Sequence, residues 1–419
     1  MSLSKLSFLK FLGPGLMYAG AAVGVSHLVQ STRAGANYGW ELLFIVIFAN
    51  VIKYPFFEIG TRYTIVTGKS LLDGYENLGR LPIWIFFIIS TGTMCVIVST
   101  VTLVTSGLFS IILGLSITPW ILCSIILLFC FALLSIGKFS ALDVLMKWIV
   151  IGLTIATILA VVFSFFADVV KLETPGKSFS ISDAADVSFL IALMGWMPIP
   201  IEAAVWQSDW TLAKKEQNGG ELPPMKWAML DFNIGYWGTT ILAVFFLALG
   251  ANMMYNTGNE FSGNAATFAG ELIHLYTSSL GSWSYPIILV AAFFTMFSTT
   301  LTCFDAYPRV VSNSSRRVFP RLATVSLEKL YWIWIIVVGV GSICILAFFL
   351  TSMKSLVDFA TTVSFLNAPI LALIHHLILF GKDIPKEHRP HPLMNLLSWF
   401  GIIFLFGFSI YFLQMRFFN

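Results

Sequence analysis

Long apolar runs separated by short polar segments make up almost the whole chain. A helix needs about 20 mostly apolar residues to cross the hydrocarbon core of a bilayer, so each long run predicts a membrane span. The pattern predicts eleven spans, numbered in chain order: 12–31, 39–59, 83–113, 119–136, 142–166, 187–207, 226–250, 284–305, 331–351, 355–380 and 395–416. The sequence therefore predicts an all-α polytopic membrane protein in which residues 1–419 form one transmembrane domain.

Composition supports this class and excludes others. Of the 419 residues, 58% are hydrophobic and only 11% are charged, whereas soluble domains carry about 25% charged residues. A soluble enzyme could not bury that much apolar surface, and a net charge of +3 is too small for a nucleic-acid binder. The sequence contains no nucleotide motif, metal-ligand spacing or catalytic triad, and its five cysteines all lie in apolar runs. We expect neither enzymatic activity nor a cofactor, and favour a secondary transporter over an ATP-driven pump.

The basic residues predict an orientation. If the N-terminus is cytoplasmic, 18 of the 24 Lys and Arg residues lie at the inner surface, including Lys5, Lys10, Lys138 and Lys147. The outer side then holds only five, which are Arg33, Lys171, Lys177, Lys354 and Arg416, and Lys53 lies within span 2. We therefore predict a plasma (inner) membrane protein with the N-terminus inside and the C-terminus outside. Lys53 is expected to lie near a span end and to reach the interface or an ion-pair partner.

Span 1 contains residues that interrupt helices in its middle. The segment MYAGAAVGVSHLVQ places Gly20, Gly24 and Ser26 just before His27. An ionisable residue inside the membrane indicates a functional site, because burying it without a role is costly. Small residues also allow two helices to pack closely, so helix packing is an alternative interpretation of these glycines.

Span 6 contains a second interruption in the corresponding place. The segment LMGWMPIPIEAAVW has Pro198 and Pro200 before Glu202, and two prolines this close remove two backbone donors from a helix. If spans 1–5 (12–166) and spans 6–10 (187–380) are two halves, the broken helices match, and an odd number of spans inverts the second half. The pattern predicts an inverted repeat with its site where the breaks meet, and span 11 (395–416) as an addition.

Five segments of the chain share one further pattern: GPGLMYAGAAVGVSHLVQSTRAGANYGWELL around span 1, IVTGKSLLDGY at 65–75, GWMPIP in span 6, FSTTLTCFDAYPR in span 8 and LNAPILALI in span 10. In these segments the sequence resembles the NRAMP divalent-metal transporters. The resemblance covers nearly the whole chain and the count of eleven spans. It implies the LeuT-type fold of the wider APC superfamily, a 5+5 inverted repeat with discontinuous helices 1 and 6, and transport by alternating access.

The residues that bind metal in that family are replaced here. The family's Asp-Pro-Gly-Asn motif in helix 1 corresponds to Gly24, Val25, Ser26 and His27, and its Met-Pro-His motif in helix 6 corresponds to Ile199, Pro200 and Ile201. The family's ninth-helix Arg has no counterpart in span 9. A divalent cation needs anionic or strong oxygen ligands to offset its dehydration, and only His27 and Glu202 remain as candidates.

The sequence therefore leaves three functions open: transport of a small organic solute, transport of a divalent metal, and a channel or sensor. A small carboxylate or amino-acid-like solute fits the loss of the helix 1 aspartate, because free amides at the second halves of broken helices favour negative charge. A divalent metal of the manganese or iron type is the family's own substrate. The predicted substrate-binding residues are Gly20, Gly24, Ser26, His27, Met197, Ile199, Pro200, Glu202, Thr361 and Asn367. His27 and Glu202 are the predicted coupling residues if protons are cotransported, and Ser298, Thr299 and Thr300 could supply oxygens for sodium instead. The expected partners are the solute or ion and the lipid bilayer, with the protein able to act as a monomer.

Overall fold

A computed structural model describes residues 13–136, 139–167, 169–173 and 176–417, and within 139–150 it describes the backbone only. Of the basic residues predicted at the inner face, Lys5, Lys10 and Lys138 lie outside the described residues, as does the side chain of Lys147. The first residue of predicted span 1, residue 12, lies outside them too.

Among the described residues, eight continuous helices are long and apolar enough to cross a membrane. They are span 2 (Leu43–Thr67), span 3 (Arg80–Leu113), span 4 (Pro119–Ile136), span 7 (Met225–Met253), span 8 (Tyr285–Val318), span 9 (Leu327–Phe348), span 10 (Met353–Leu379) and span 11 (Pro392–Phe417). Span 5 is the helix Phe139–Ser164, and spans 1 and 6 are each broken into two helical parts. Together these make the eleven spans that the apolar runs predict.

Two further α-helices lie between the spans in the described part of the chain, along with three short 3-10 helices, Ser282–Ser284, Pro320–Leu322 and Lys386–His388. A short helix, Leu71–Leu78, follows span 2 at the predicted inner face. On the predicted outer face the amphipathic helix Ala265–Leu280 lies between spans 7 and 8. The side chain of Asn264 caps its first amides, which ordinarily have no partner inside a helix.

The break in span 1 is short. Span 1a is the helix Pro14–Ala22, and Val23 and Gly24 then leave helical geometry. The chain continues as span 1b, which begins as a π-helix over Ser26–Ser31 and ends as an α-helix over Thr32–Tyr38. A π-helix is wider than an α-helix and is frequently found at functional sites. The wider π-helical turn at the start of span 1b therefore contains two of the predicted site residues, Ser26 and His27.

The break in span 6 is longer. Span 6a is the helix Ala184–Gly195 and span 6b is the helix Ala203–Gln217. The link between them contains Pro198 and Pro200, neither of which can donate a backbone hydrogen bond. Span 6 is therefore discontinuous, as the paired prolines predict.

Span 1 packs against span 7 through two reciprocal pairs of glycines. A Cβ on Gly35 would lie 1.9 Å from the carbonyl oxygen of Leu247, and one on Gly250 would lie 2.2 Å from a span 1 carbonyl. Gly15 and Gly235 form the second pair, with hypothetical Cβ atoms 2.0 and 2.1 Å from backbone oxygens of the other helix. Both halves of span 1 are thus held on span 7 by backbone contact, leaving the break between them to form the site.

Candidate functional site

A small cavity lies where the breaks in spans 1 and 6 meet spans 3 and 8. Its volume is about 20 Å³, room for about one water molecule. Its walls are mainly apolar, with hydroxyl and thiol groups among them, and are formed by Ala21, Ala22, Val25, Ser26, Ile97, Val101, Trp196, Pro198, Ile199, Pro200, Trp206, Thr299 and Cys303. The two interruptions therefore adjoin in space.

The structure brings some of the predicted site residues to this cavity and places others around it. Ser26, Ile199 and Pro200 line it. Gly20, Gly24, His27, Met197, Glu202, Thr361 and Asn367 are not part of its wall. Of these, Gly20 and Gly24 face span 8, because a Cβ on Gly24 would lie 2.7 Å from the hydroxyl oxygen of Thr299. Close packing, the alternative interpretation of the span 1 glycines, therefore applies to Gly24.

Glu202 lies buried one helical turn from the cavity residue Trp206. Its carboxylate accepts a hydrogen bond from the hydroxyl of Tyr307 on span 8, with longer contacts of 3.4 Å from Ser90 and Thr93 on span 3. None of the ion pairs among the described residues includes Glu202. A carboxyl group surrounded by hydroxyl donors and lacking a cation can exist with or without its proton, which is what a proton carrier requires.

His27 points away from the cavity towards span 7. Its Nε2 lies 2.9 Å from the carbonyl oxygen of Thr239, and its Nδ1 lies 2.7 Å from the hydroxyl of Ser26. Ser26 in turn donates to the carbonyl of Ala22 at 2.8 Å. Since a carbonyl can only accept, all three bonds form together only if both ring nitrogens of His27 carry a proton. A neutral ring leaves one bond unmade, so this chain of bonds has room for one additional proton.

The prediction that Lys53 lies near the end of a span is wrong, because the residue lies in the interior of span 2. Its side chain is fully buried, and its ammonium donates to the carbonyl of Met194 and, at 3.2 Å, to that of Gly195. These carbonyls end span 6a, where backbone acceptors have no amide partner in the helix. A cation there also complements the negative end of the helix dipole. Lys53 therefore stabilises the break in span 6, a role its position deep within span 2 could have suggested.

Trp206 separates the cavity from a vestibule at the predicted inner face. The vestibule has a volume of about 750 Å³ and shares Trp206 with the cavity wall. The start of span 1, span 6b, the end of span 8 and the start of span 9 surround it. The indole packs edge-on against Tyr307, with ring centroids 5.0 Å apart. Trp206 is the residue that the two walls share, so we expect its movement to be part of any opening between the cavity and the vestibule.

The predicted outer face is closed by an ion pair between spans 1b and 10. The guanidinium of Arg33 donates two hydrogen bonds to Asp358, at 2.7 and 3.0 Å, and a third to Gln30 at 2.8 Å. It also lies over the ring of Phe189 in span 6a, 5.1 Å from the centroid. A second groove on this face, of about 1040 Å³, shares no lining residue with the cavity. In the described part of the chain, the cavity therefore adjoins the vestibule at the predicted inner face and does not adjoin the groove at the predicted outer face.

Loss of this ion pair is expected to open the face that carries Arg33 more often. We predict that Arg33→Met raises the rate at which a membrane-impermeant thiol reagent, added to the face that carries Arg33, modifies Cys303 in the cavity wall. A partly exposed bidentate pair contributes about 1 kcal/mol, which corresponds to about a fivefold change in rate. The measurement uses a background in which Cys95 and Cys344 are replaced by serine.

Arg309→Met provides the matched control for this experiment. Arg309 also forms an ion pair, with Asp305 at 2.7 Å, but at the opposite face. Its loss is expected to leave labelling from the Arg33 side unchanged. Equal rates in the wild type and Arg33→Met would show that the ion pair does not control access.

The residues present do not form a recognisable metal centre. Among the described residues, no three His, Cys, Asp or Glu side chains are grouped so that they could hold a metal ion. The wall of the cavity contains one such side chain, Cys303, and otherwise offers hydroxyl groups and backbone. Hard divalent cations prefer carboxylate and other oxygen ligands in larger numbers than this wall supplies.

Comparison with known sequences connects the chain to one family. The Nramp family, described as natural resistance-associated macrophage protein-like, matches residues 15–415. An uncharacterized protein of Pasteurella multocida is 35% identical over 408 residues, which cover 97% of this chain and 92% of that protein. The divalent metal cation transporter MntH of Staphylococcus aureus is 23% identical over 445 residues, which cover 99% of this chain and 93% of that protein.

Solved structures show the same fold. A manganese transporter of Eremococcus coleocola, crystallised as a point mutant, superposes with a TM-score of 0.68 at 13% identity, over 97% of this chain and 86% of that one. MhsT in complex with L-phenylalanine superposes with a TM-score of 0.58 at 15% identity, over 96% of this chain and 97% of that one. The architecture is the LeuT-type fold with helices 1 and 6 discontinuous, as the resemblance implied. This transmembrane chain belongs to the Nramp family of transporters.

Proposed function

We propose that this protein is an ion-coupled secondary transporter that moves a small carboxylate or amino-acid-like solute by alternating access. The observation that carries the proposal is the cavity between the broken spans, whose wall contains no carboxylate and no imidazole. The spans 1b and 6b begin beside it, and the first amides of a helix carry partial positive charge. An anionic group meets attraction there, and the apolar wall suits the rest of a small organic molecule.

The fit at Gly24 also supports a substrate other than metal. The family's helix 1 aspartate corresponds to this position, and any side chain placed here meets Thr299, with a Cβ 2.7 Å from its hydroxyl oxygen and 2.9 Å from its methyl carbon. Restoring the aspartate by one substitution would therefore force spans 1 and 8 apart. The packing around the break has adapted to glycine.

Coupling is assigned to the two buried titratable groups beside the breaks. Glu202 can release a proton among hydroxyl donors, and His27 can accept one in its chain of hydrogen bonds. Neither group lines the cavity, so proton binding would act through Ser26 and Trp206, which do. The substrate would contact Gly20, Gly24, Ser26, Met197, Ile199, Pro200, Thr361 and Asn367 once the spans have separated to admit it.

The two faces are assigned from the charge count. With the N-terminus inside, the vestibule below Trp206 opens to the cytoplasm and the Arg33–Asp358 pair closes the outer face. The plasma (inner) membrane is the expected location. A cavity of about 20 Å³ is smaller than any organic solute, so spans 1 and 6 must move apart in the transport cycle.

Divalent metal transport is the second candidate, and the names of the relatives favour it. The Staphylococcus aureus relative is a divalent metal cation transporter and the Eremococcus coleocola neighbour a manganese transporter. The same fold in MhsT holds L-phenylalanine, so the fold is compatible with both classes of substrate. The choice between them depends on the residues at the breaks.

Uptake into proteoliposomes tests the two candidates directly. We expect saturable accumulation of a labelled small carboxylate from a mixed panel, driven by an inwardly directed proton gradient, and no saturable manganese uptake. The rate should exceed that of protein-free liposomes at least tenfold. Manganese flux that saturates and is blocked by cadmium, without carboxylate uptake, would replace the proposal with metal transport.

A paired variant sharpens this test. Trp196→Phe removes the indole N–H that donates a hydrogen bond to the hydroxyl oxygen of Ser364 at 2.8 Å, beside the cavity. This variant should weaken uptake of the favoured solute. Trp227→Phe lies on span 7 away from the cavity wall and is the control. If neither substrate moves in the wild type although the protein is folded, both candidates fail.

A further inference from the structure

Two buried groups of opposite charge lie at the two ends of the link in span 6. The ammonium of Lys53 donates to the carbonyls of Met194 and Gly195, where span 6a ends. The carboxylate of Glu202 lies where span 6b begins. Between these ends, the link contributes four residues to the wall of the cavity. The cavity therefore adjoins a link that has a cation at one end and an anion at the other.

Neither Lys53 nor Glu202 has an ion-pair partner among the described residues. Glu58, the carboxylate that follows Lys53 in span 2, is paired with Arg62 instead. Both contacts of the Lys53 ammonium are with backbone carbonyls, although an ammonium has a third proton to donate. Lys53 and Glu202 are both buried, with 0% and 3% of their surface exposed, so water does not offset either charge.

The surroundings of both groups favour their charged forms without neutralising them. The carbonyl end of span 6a attracts a cation, and the amide end of span 6b attracts an anion. The groups next to Glu202 are neutral near pH 7. They are the hydroxyl groups of Ser90, Thr93, Tyr75 and Tyr307 and the thiol of Cys303. Each charge is therefore balanced mainly by the other, across the link.

Counting charges at the link shows which states are favoured. A net charge in the membrane interior is costly, because a medium of low dielectric constant screens it poorly. With Lys53 protonated and Glu202 ionised, the link carries no net charge. A proton bound to Glu202 alone leaves one positive charge, and an anion bound in the cavity alone leaves one negative charge. A proton and a monoanion bound together restore a net charge of zero.

We infer that Lys53 and Glu202 act as a charge pair that makes the carrier bind one proton together with one monoanion, so that transport is electroneutral. This deepens the function proposed above and rests on it. It also narrows the substrate class. A zwitterion would leave one positive charge beside protonated Glu202, and a dianion would leave one negative charge. A small monocarboxylate without an amine meets the condition.

The test is uptake into proteoliposomes of three small labelled probes: lactate, a monoanion; alanine, a zwitterion; and succinate, a dianion. We expect saturable uptake of lactate, at least tenfold faster than that of alanine, succinate or protein-free liposomes. At equal pH on both sides, an inside-negative potential set by valinomycin and a potassium gradient should leave the initial rate of lactate uptake unchanged. An inwardly directed proton gradient should increase that rate.

Lys53→Met removes the cation and keeps most of the side chain. Without the cation, Glu202 stays protonated and a bound anion leaves a net charge. The half-saturating lactate concentration for exchange should rise at least tenfold, and it should no longer depend on pH. A loss of packing alone would lower the rate without changing the pH profile. Lys382→Met, which removes an exposed lysine from the loop after span 10, is the matched control and should behave as the wild type.

Glu202→Gln provides a second variant, which serves alone if Lys53→Met does not fold. Glutamine resembles the protonated carboxyl group, so lactate should bind without taking up a proton. In the wild type, the half-saturating lactate concentration should rise with pH, by up to tenfold per pH unit, because each anion binds together with a proton. In Glu202→Gln, this concentration should stay constant as the pH is raised.

Three results would overturn the inference and leave a transporter of small carboxylates standing. They are lactate uptake that responds to the membrane potential, a wild-type pH profile in the variants that fold, and uptake of alanine or succinate in place of lactate. Uptake of none of the three probes would remove the proposed function together with the inference.

Discussion

The Glu202→Gln variant is expected to lose proton-driven accumulation of solute while it retains exchange of solute across the membrane. Glutamine has nearly the same shape as glutamate and can still accept a hydrogen bond from Tyr307, but it cannot carry a proton. Net uptake under an inwardly directed proton gradient should fall at least tenfold, to the rate measured without a gradient. Exchange of labelled for unlabelled solute needs no net proton movement and should continue.

The surroundings of Glu202 make this outcome specific. The titratable groups next to it are Tyr307, Tyr75 and Cys303, which are ordinarily neutral near pH 7. The matched control is Glu387→Gln, which removes an exposed carboxylate from the loop before span 11. If Glu202→Gln still concentrates solute against its gradient, His27 becomes the remaining candidate, and His27→Gln should then abolish accumulation.

Gly35→Val is expected to abolish the folded protein. A Cβ at this position would lie 1.9 Å from the carbonyl of Leu247 and 2.7 Å from the amide nitrogen of Ala251, so spans 1b and 7 would have to separate. Backbone atoms cannot move aside as a flexible side chain can, and we expect a loss of more than about 4 kcal/mol, well above an ordinary substitution. The measurement is the yield of monodisperse protein in detergent by size-exclusion chromatography.

Gly92→Val is the control for this prediction. Gly92 is also in the middle of a membrane helix, but a Cβ added to it would meet no atom within 4 Å. The Gly92→Val variant measures the cost of placing valine in a helix where no clash occurs. That cost is well below 1 kcal/mol relative to alanine. Equal yields from Gly35→Val and Gly92→Val would mean that the two helices do not pack as closely as described.

The number and class of the helices could be predicted because the bilayer imposes a length. Each span must be apolar for about 20 residues, and that requirement is visible in the chain. The ends were less predictable, since a helix can continue into water: span 8 runs to Val318, well past the predicted limit of 305. The breaks were predictable as well, because Pro198 and Pro200 exclude a regular helix whatever surrounds them.

The partners of the site residues could not be predicted. Tyr307 lies 105 positions from Glu202, and Asp358 lies 325 positions from Arg33. Helical periodicity indicates which face of a span is buried but not which residue of another span it meets. Arg33 was therefore counted as a charge that reports orientation, whereas it also forms the ion pair that joins spans 1b and 10. His27 was expected in the binding site, but its ring turns to span 7 and only its neighbour Ser26 reaches the cavity.

Because of the vestibule, we expect the two faces of the transporter to differ in their sensitivity to inhibitors. Its volume of about 750 Å³ is in the range of pockets that take drug-sized molecules, whereas the cavity above Trp206 holds about one water molecule. Its wall carries both signs of charge, from Asp209, Asp305, Glu328, Lys214 and Arg309. A zwitterionic compound that fills it would keep spans 1, 6 and 8 from closing on that side. Such a compound should inhibit from one face of the membrane only, and added substrate should not relieve the inhibition, because the two would not compete for the same space.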